Sequence, residues 1–311
     1  MGLITKCDLR SPSAQFPYCA SGEAAIVFAS LFGLVIFAHS IQAILYRRWY
    51  CWVVIMAATW EAAAFATRAV ATVDQTKRGP LIPSMLLIYL APILLNAFVY
   101  MVFGRMVWYY IPEKKIFGIR AQRMAMIFVG LDIVAFLTQV LGAVMSVDKT
   151  GKVGPTGMRI YTAGIAIQQV FILCFLSLLI KFHILMRRGA GVPERSGNWL
   201  ILTYVMYFTL FTITTRIVYR LAEFAGGIGQ GKPNVLSTKE VWFYILEAIP
   251  MLLGMAVWNP FHPGRIMYGL EGDFPKMSRE EKKAMKKERK AQKKARRQLE
   301  EGEEMMTLRE H

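Results

Sequence analysis

Seven stretches of about 20 or more mainly apolar residues, each bounded by charge, dominate this 311-residue chain. They are Glu23–Tyr46, Cys51–Val73, Pro83–Trp108, Arg123–Val147, Met158–Lys181, Trp199–Leu221 and Glu240–Phe261. A helix rises about 1.5 Å per residue, so each stretch covers a hydrocarbon layer of about 30 Å with some tilt. Barrel strands are excluded, being only about ten alternating residues. Composition agrees, with 55% hydrophobic and 19% charged residues where soluble domains hold roughly 45–50% and 25%. A soluble Rossmann or barrel enzyme, a disordered chain and a small disulfide scaffold are thereby excluded. The expected fold is all-α, a seven-transmembrane helix bundle spanning residues 23–264, with a terminal segment at 1–22 and a basic tail at 265–311. No internal repeat supports an inverted-repeat transporter plan.

Lys and Arg distribution sets the expected orientation. Without the tail, ten basic residues on one side face nine on the other, which decides nothing. The stretch 276–297 adds 12 Lys and Arg against only Glu280, Glu281 and Glu288. The N-terminus is therefore expected outside and the C-terminus in the cytosol. Ser278-Arg279-Glu280-Glu281 has capping-box spacing and starts a helix too polar to insert. That helix either binds anionic inner-leaflet lipid, at about 1 kcal/mol per basic residue, or is a solvated helix that fixes topology. Nucleic acid is no partner for a chain anchored in a membrane. The first 22 residues lack an apolar core, so no cleavable signal peptide is expected. Cys51 and Cys174, in apolar stretches, are expected as small core hydrophobes. The spacing of Cys7 and Cys19 permits a disulfide without demanding one.

Charge in hydrocarbon costs at least about 2.5–3.5 kcal/mol per residue, so each buried ionisable group asks for a partner or a polar cavity. Glu61 and Arg68 stand seven apart, about two helical turns, and share a face. Asp132 and Gln139 repeat that spacing, as do Glu240 and Glu247 with Tyr244 between them. Arg216, Arg220 and Glu223 follow at offsets of four and three. These stripes suit a shared interior: a polar cavity open toward the outer leaflet, with Glu61 and Asp132 deeper. Alternatively the arginines simply neutralise the carboxylates and lock the bundle, and the two readings are compatible. Arg105 is placed to meet phosphate headgroups at the inner surface. Pro92 and Pro250 are expected to kink their helices, the second aiming Glu247 inward. Gly226, Gly227, Gly229 and Gly231 form an expected mobile outer loop.

Catalysis and cofactors find little support. His39, His183, His262 and His311 lie on different segments without a zinc-type pair, and no Gly-x-Ser-x-Gly elbow occurs. The seventh stretch holds no lysine for a retinal Schiff base after Lys239. No cofactor is expected, and no enzyme.

Several stretches together resemble the fungal RTA-like proteins, the lipid-translocating exporter family. They are Glu61-Ala-Ala-Ala-Phe65-Ala-Thr-Arg68; Leu90-Ala-Pro92 through Tyr100 to Gly104-Arg105; Asp132 through Gln139 to Gly142; and Gly164 through Gln168. Arg216-Ile-Val-Tyr-Arg220-Leu-Ala-Glu223-Phe-Ala-Gly226 follows, then Glu240, Tyr244, Pro250-Met251 and His262-Pro263-Gly264. The family usually has Asp where Glu247 stands and Gly-Tyr where Ala64-Phe65 stands. The resemblance implies a seven-span fungal membrane protein, hosted by the plasma membrane, that moves lipids or toxic amphiphiles and confers resistance. Sphingoid long-chain bases and sterol-like compounds are the implied cargo. A cationic long-chain base suits a cavity lined by Glu61, Arg68, Asp132, Gln139, Gln168, Arg216, Arg220, Glu223, Glu240, Tyr244 and Glu247, with Glu61, Asp132 or Glu247 as counter-ion. The rival reading is a seven-helix receptor: Asn259-Pro260 resembles the Asn-Pro of G-protein-coupled receptors, although Gly104-Arg105-Met106 stands where Asp-Arg-Tyr is expected.

Overall fold

The computed structural model describes residues 16–77, 79–146, 154–192, 198–225, 235–267 and 274. Most of the basic tail, Cys7 and the glycines after α6 lie outside them. Six helices among the described residues are long and apolar enough to cross a membrane. They are α1 (Gly22–Tyr46), α2 (Trp52–Val73), α3 (Leu81–Tyr110), α4 (Ala121–Ser146), α5 (Gly154–Arg187) and α6 (Trp199–Ala225). The seventh apolar stretch forms a helical run in three pieces. These are α8 (Glu240–Phe243), a π-helical turn (Tyr244–Ala248) and α9 (Ile249–Ala256), with the short α7 (Val235–Thr238) before and α10 (Pro263–Ile266) after. Pro250 accounts for the break: it sits in the first turn of α9, where its missing N–H interrupts the ladder and a wider turn precedes it.

One departure from an all-α fold is a hairpin between α3 and α4. Strands β1 (Lys115–Ile116) and β2 (Ile119–Arg120) pair antiparallel. Gly118 at φ 75° supplies the left-handed residue that so tight a turn requires. Chain ends are otherwise set locally. Ser21 Oγ accepts from the Ala24 amide at 3.2 Å and caps α1, and Arg47, at φ 52°, stops it.

Each helix packs chiefly on its sequence neighbour, and α9 closes against α6 and α1. The most apolar window of α3 is 61% buried, whereas those of α1 and α4 are 22% buried, which places α3 at the centre. The α4–α5 seam is drawn tight by glycine. A Cβ built on Gly142 falls 2.7 Å from the Gly157 carbonyl, and one on Gly164 falls 2.7 Å from Gln139 Cγ. Between helices in lipid, such close backbone approach supplies the van der Waals contact that apolar burial cannot. Cys51 is buried as expected, but Cys174 is exposed on α5, because its neighbours Ile172 and Phe175 take the inward face.

At the end of the bundle where α1 finishes, His262-Pro263-Gly264 forms an anchor. His262 Nδ1 accepts from the Gly264 amide at 3.1 Å, and the ring stacks on Tyr46 at 4.7 Å. Arg48 donates to the Met267 carbonyl at 2.7 Å. Burial, reinforced by His39 and Arg48, lowers the His262 imidazole to about 4.

Candidate functional site

Three groups of buried polar side chains emerge from the stripes. The first lies where α1 and the last helical run begin. Arg68 Nη2 donates to Glu240 Oε1 at 3.2 Å and to Tyr18 Oη at 3.0 Å. Its guanidinium lies 4.3 Å from the Phe243 ring centroid and 5.0 Å from that of Phe16, an aromatic setting that favours a desolvated cation. Glu240 Oε2 accepts the Ser21 amide at 2.8 Å. Gln75 holds the same segment, with its amide nitrogen 3.0 Å from the Ala20 carbonyl and its oxygen 3.3 Å from the Ala20 amide. Residues 16–21 are thus strapped to the ends of α2 and α8. Burial pushes the Tyr18 phenol up. Cys19 in this strap is disulfide-bonded.

The second group is deeper. Glu247, in the π-helical turn, accepts from Arg216 Nε at 2.7 Å on one oxygen and from Arg220 Nε at 2.8 Å on the other. Arg220 Nη1 also reaches Glu223 at 3.0 Å. Arg216 Nη2 donates to the Ile88 carbonyl at 2.7 Å. That contact explains Pro92. An ordinary residue there would donate to Ile88 four positions back, whereas proline leaves the carbonyl free. Helix α3 continues through Pro92, and an arginine of α6 takes the vacant acceptor. Glu61 completes this group. It is 2% exposed, lies in the electrostatic reach of Arg216, Arg220 and Glu247, and its Oε1 has no hydrogen-bond partner among the described residues.

The third group is separate. Among the described residues Asp132 meets no arginine; its Oδ2 accepts from Asn96 Nδ2 at 3.0 Å and from Tyr100 Oη at 3.1 Å. Further along the α4–α5 seam, Gln139 donates to Gln168 at 3.1 Å. Two sequence expectations change here. Glu240 and Glu247 serve different arginines, because seven residues of helix set them about 10 Å apart along its axis. Asp132 faces α3 partners rather than the Arg216–Glu247 group. Asn96 and Tyr100, four apart on one face of α3, were the legible signal for that site, while nothing in the sequence pointed to Tyr18 or Ser21. Arg105 lies with its guanidinium 3.9 Å from the Tyr50 ring centroid and donates to the Met101 carbonyl.

Glu61, Arg68, Asp132, Arg216, Arg220 and Glu247 are all buried, so none points at lipid. The residues that converge are those of the motifs quoted above, and the profile of the RTA1-like protein family matches residues 54–269. The chain belongs to this family. A probable lipid transporter of Emericella nidulans is 38% identical over 276 residues, covering 85% of this RTA1-like protein and 71% of the relative. A lipid-translocating exporter-like protein of Leptosphaeria maculans is 27% identical, covering 84% of this chain and 53% of the relative. A sphingoid long-chain base transporter of Saccharomyces cerevisiae is 24% identical, covering 80% and 73%. No solved structure matches this RTA1-like protein.

Proposed function

We propose that this RTA1-like protein is a transporter that moves lipids or toxic amphiphiles across the plasma membrane and so confers resistance, without enzymatic chemistry. The observation that carries the proposal is the unequal pairing of its buried acids. Glu240 and Glu247 are neutralised by Arg68, Arg216 and Arg220, and this lock holds the bundle. Glu61 alone in that group lacks a hydrogen-bond partner on Oε1 among the described residues. A buried carboxyl group within electrostatic reach of Arg216 and Arg220, with one oxygen unengaged among the described residues, is the group left to meet a cationic headgroup such as the ammonium of a long-chain base. The relatives named as lipid and long-chain-base transporters support this cargo class. In this proposal Asp132, Gln139 and Gln168 serve the cargo from the α4–α5 side, and Tyr244 and Glu223 serve it from the last helical run and α6. A receptor reading draws no support from the relatives' names.

Seven spans, an outer N-terminus and a cytosolic C-terminus belong to the same proposal. Glu240 meets the Ser21 amide at the start of α1, and His262 stacks on Tyr46 at its end. The last run therefore travels as far as α1 does and in the same direction, as a seventh span must. The disulfide at Cys19 favours an oxidising compartment for the N-terminus. The basic tail, outside the described residues, would lie against anionic inner-leaflet lipid.

The test is purified protein in liposomes with fluorescent amphiphiles of several charge classes. Wild type should move a cationic long-chain base unaided. Glu61→Gln should lose at least tenfold in that rate while assembling normally, since among the described residues Glu61 forms no ion pair that the change would break. Unchanged transport by Glu61→Gln would remove Glu61 as counter-ion, and an inert wild type would remove the transporter reading.

A further inference from the structure

Asp132 differs from every other buried acid of the bundle. It is 1% exposed, and the groups facing it are Asn96 and Tyr100 of α3. Tyr100 in turn packs on Phe128 of α4 and Phe175 of α5, at 5.3 and 4.6 Å between ring centroids. Among the described residues, no Arg, Lys, His or second carboxylate of α3 or α5 acts on it. A lone carboxylate this deep is expensive. Both of its hydrogen bonds fall on Oδ2. Its Oδ1 has no partner among the described residues, and neither has Asn96 Oδ1.

A single proton resolves both vacancies. Placed on Asp132 Oδ1, it removes the charge and offers a donor on the side chain that already meets the Asn96 amide. The carboxylic acid and the primary amide then close a ring of two hydrogen bonds, Asn96 Nδ2–H to Asp132 Oδ2 and Asp132 Oδ1–H to Asn96 Oδ1. Buried polar atoms are nearly always satisfied, and this is the simplest arrangement that satisfies all four. We propose that Asp132 is a proton-binding site, protonated at rest against Asn96, and that its proton exchange with water couples amphiphile movement to a proton gradient. The proton is taken from water and returned to it, and no bond of the cargo changes. The coupling half rests on the transporter reading above; the proton site does not.

Infrared difference spectra of the full-length protein in lipid at neutral pH test the site. A protonated-carboxyl carbonyl band that shifts in D₂O should be present in wild type and absent from Asp132→Asn, whose amide can pair with Asn96 and preserve the fold. Asn96→Ala should shift the same band. A spectrum in which no such band depends on Asp132 overturns the site, as does its replacement by sodium-dependent signals. Proteoliposomes test the coupling. An imposed pH gradient should accelerate long-chain-base movement by wild type, and Asp132→Asn should lose that acceleration. Wild-type movement indifferent to the gradient overturns coupling, whereas a wild type that moves nothing with the band intact overturns only the transporter reading.

Discussion

Glu247 accepts from two guanidinium groups at once. Beyond Glu247, Arg216 donates to the Ile88 carbonyl, and Arg220 reaches Glu223 and lies 4.9 Å from the Tyr89 ring centroid. All three side chains are at most 10% exposed. Breaking a buried pair by removing one partner costs about 3–5 kcal/mol, because the other charge stays buried. Glu247→Gln should therefore lower the thermal unfolding midpoint in detergent and reduce the amount of folded protein at the cell surface. Glu247→Asp, the residue usual in the family, should retain much of both. A Gln variant as stable as wild type would mean that the two arginines do not need this charge. The contrast with Glu61 matters. Sequence left Glu61, Asp132 and Glu247 equivalent as counter-ions, since spacing reveals a shared face but not who is already paired. Geometry separates them into a lock, an acid with one oxygen unengaged among the described residues, and an amide-paired acid.

The α4–α5 pair shows how an element interface can be read in part from its sequence. Asp132, Gln139 and Gly142 fall on one stripe of α4, and the buried positions Ala121, Met124, Phe128, Asp132, Ala135 and Gly142 follow it at spacings of three, four, four, three and seven. What the stripe could not say is that Gly142 and Gly157 touch backbone across the seam. A Cβ on Gly157 would lie 2.6 Å from the Met145 carbonyl carbon. Backbone cannot yield as a side-chain tip can, so Gly142→Ala or Gly157→Ala should push the helices apart at a cost of about 1–3 kcal/mol. The measurement is thermal unfolding beside Gly130→Ala, where a Cβ meets nothing within 4 Å. Equal midpoints for the three variants would show that the seam is looser than this packing requires. Helix existence was legible throughout because apolar length decides it. The interrupted last run was less so: Pro250 announces a break, but the π turn arises from local hydrogen bonding that no apolar period records. Helix α5 also runs past its apolar stretch, from Gly154 to Arg187, because polar turns at the layer's edge cost nothing in water.

For the whole molecule, the number of crossings decides which faces of the site meet which compartment. The last run has 17 consecutive helical residues from Glu240 to Ala256, about 25 Å at the usual rise, and turns carry the chain on to His262. Its two ends are held at opposite ends of α1, by Ser21 and by Tyr46. Acidic residues and a proline inside that run make it a poor lipid-facing span, and interior pairing with Arg68, Arg216 and Arg220 is what makes it tolerable there. A helix that had only dipped into the membrane and returned would leave His262 near the Ser21 end. The proposed seven crossings would put the two termini in different compartments. Epitope tags placed before Met1 and after His311 should accordingly differ in intact cells, the first reached by antibody without permeabilisation and the second only after it. Mild reduction followed by a membrane-impermeant thiol reagent should likewise label Cys19 from outside. Both tags on one side would overturn the proposed seven crossings, and both tags inside would turn the strap formed by residues 16–21 toward the cytosol.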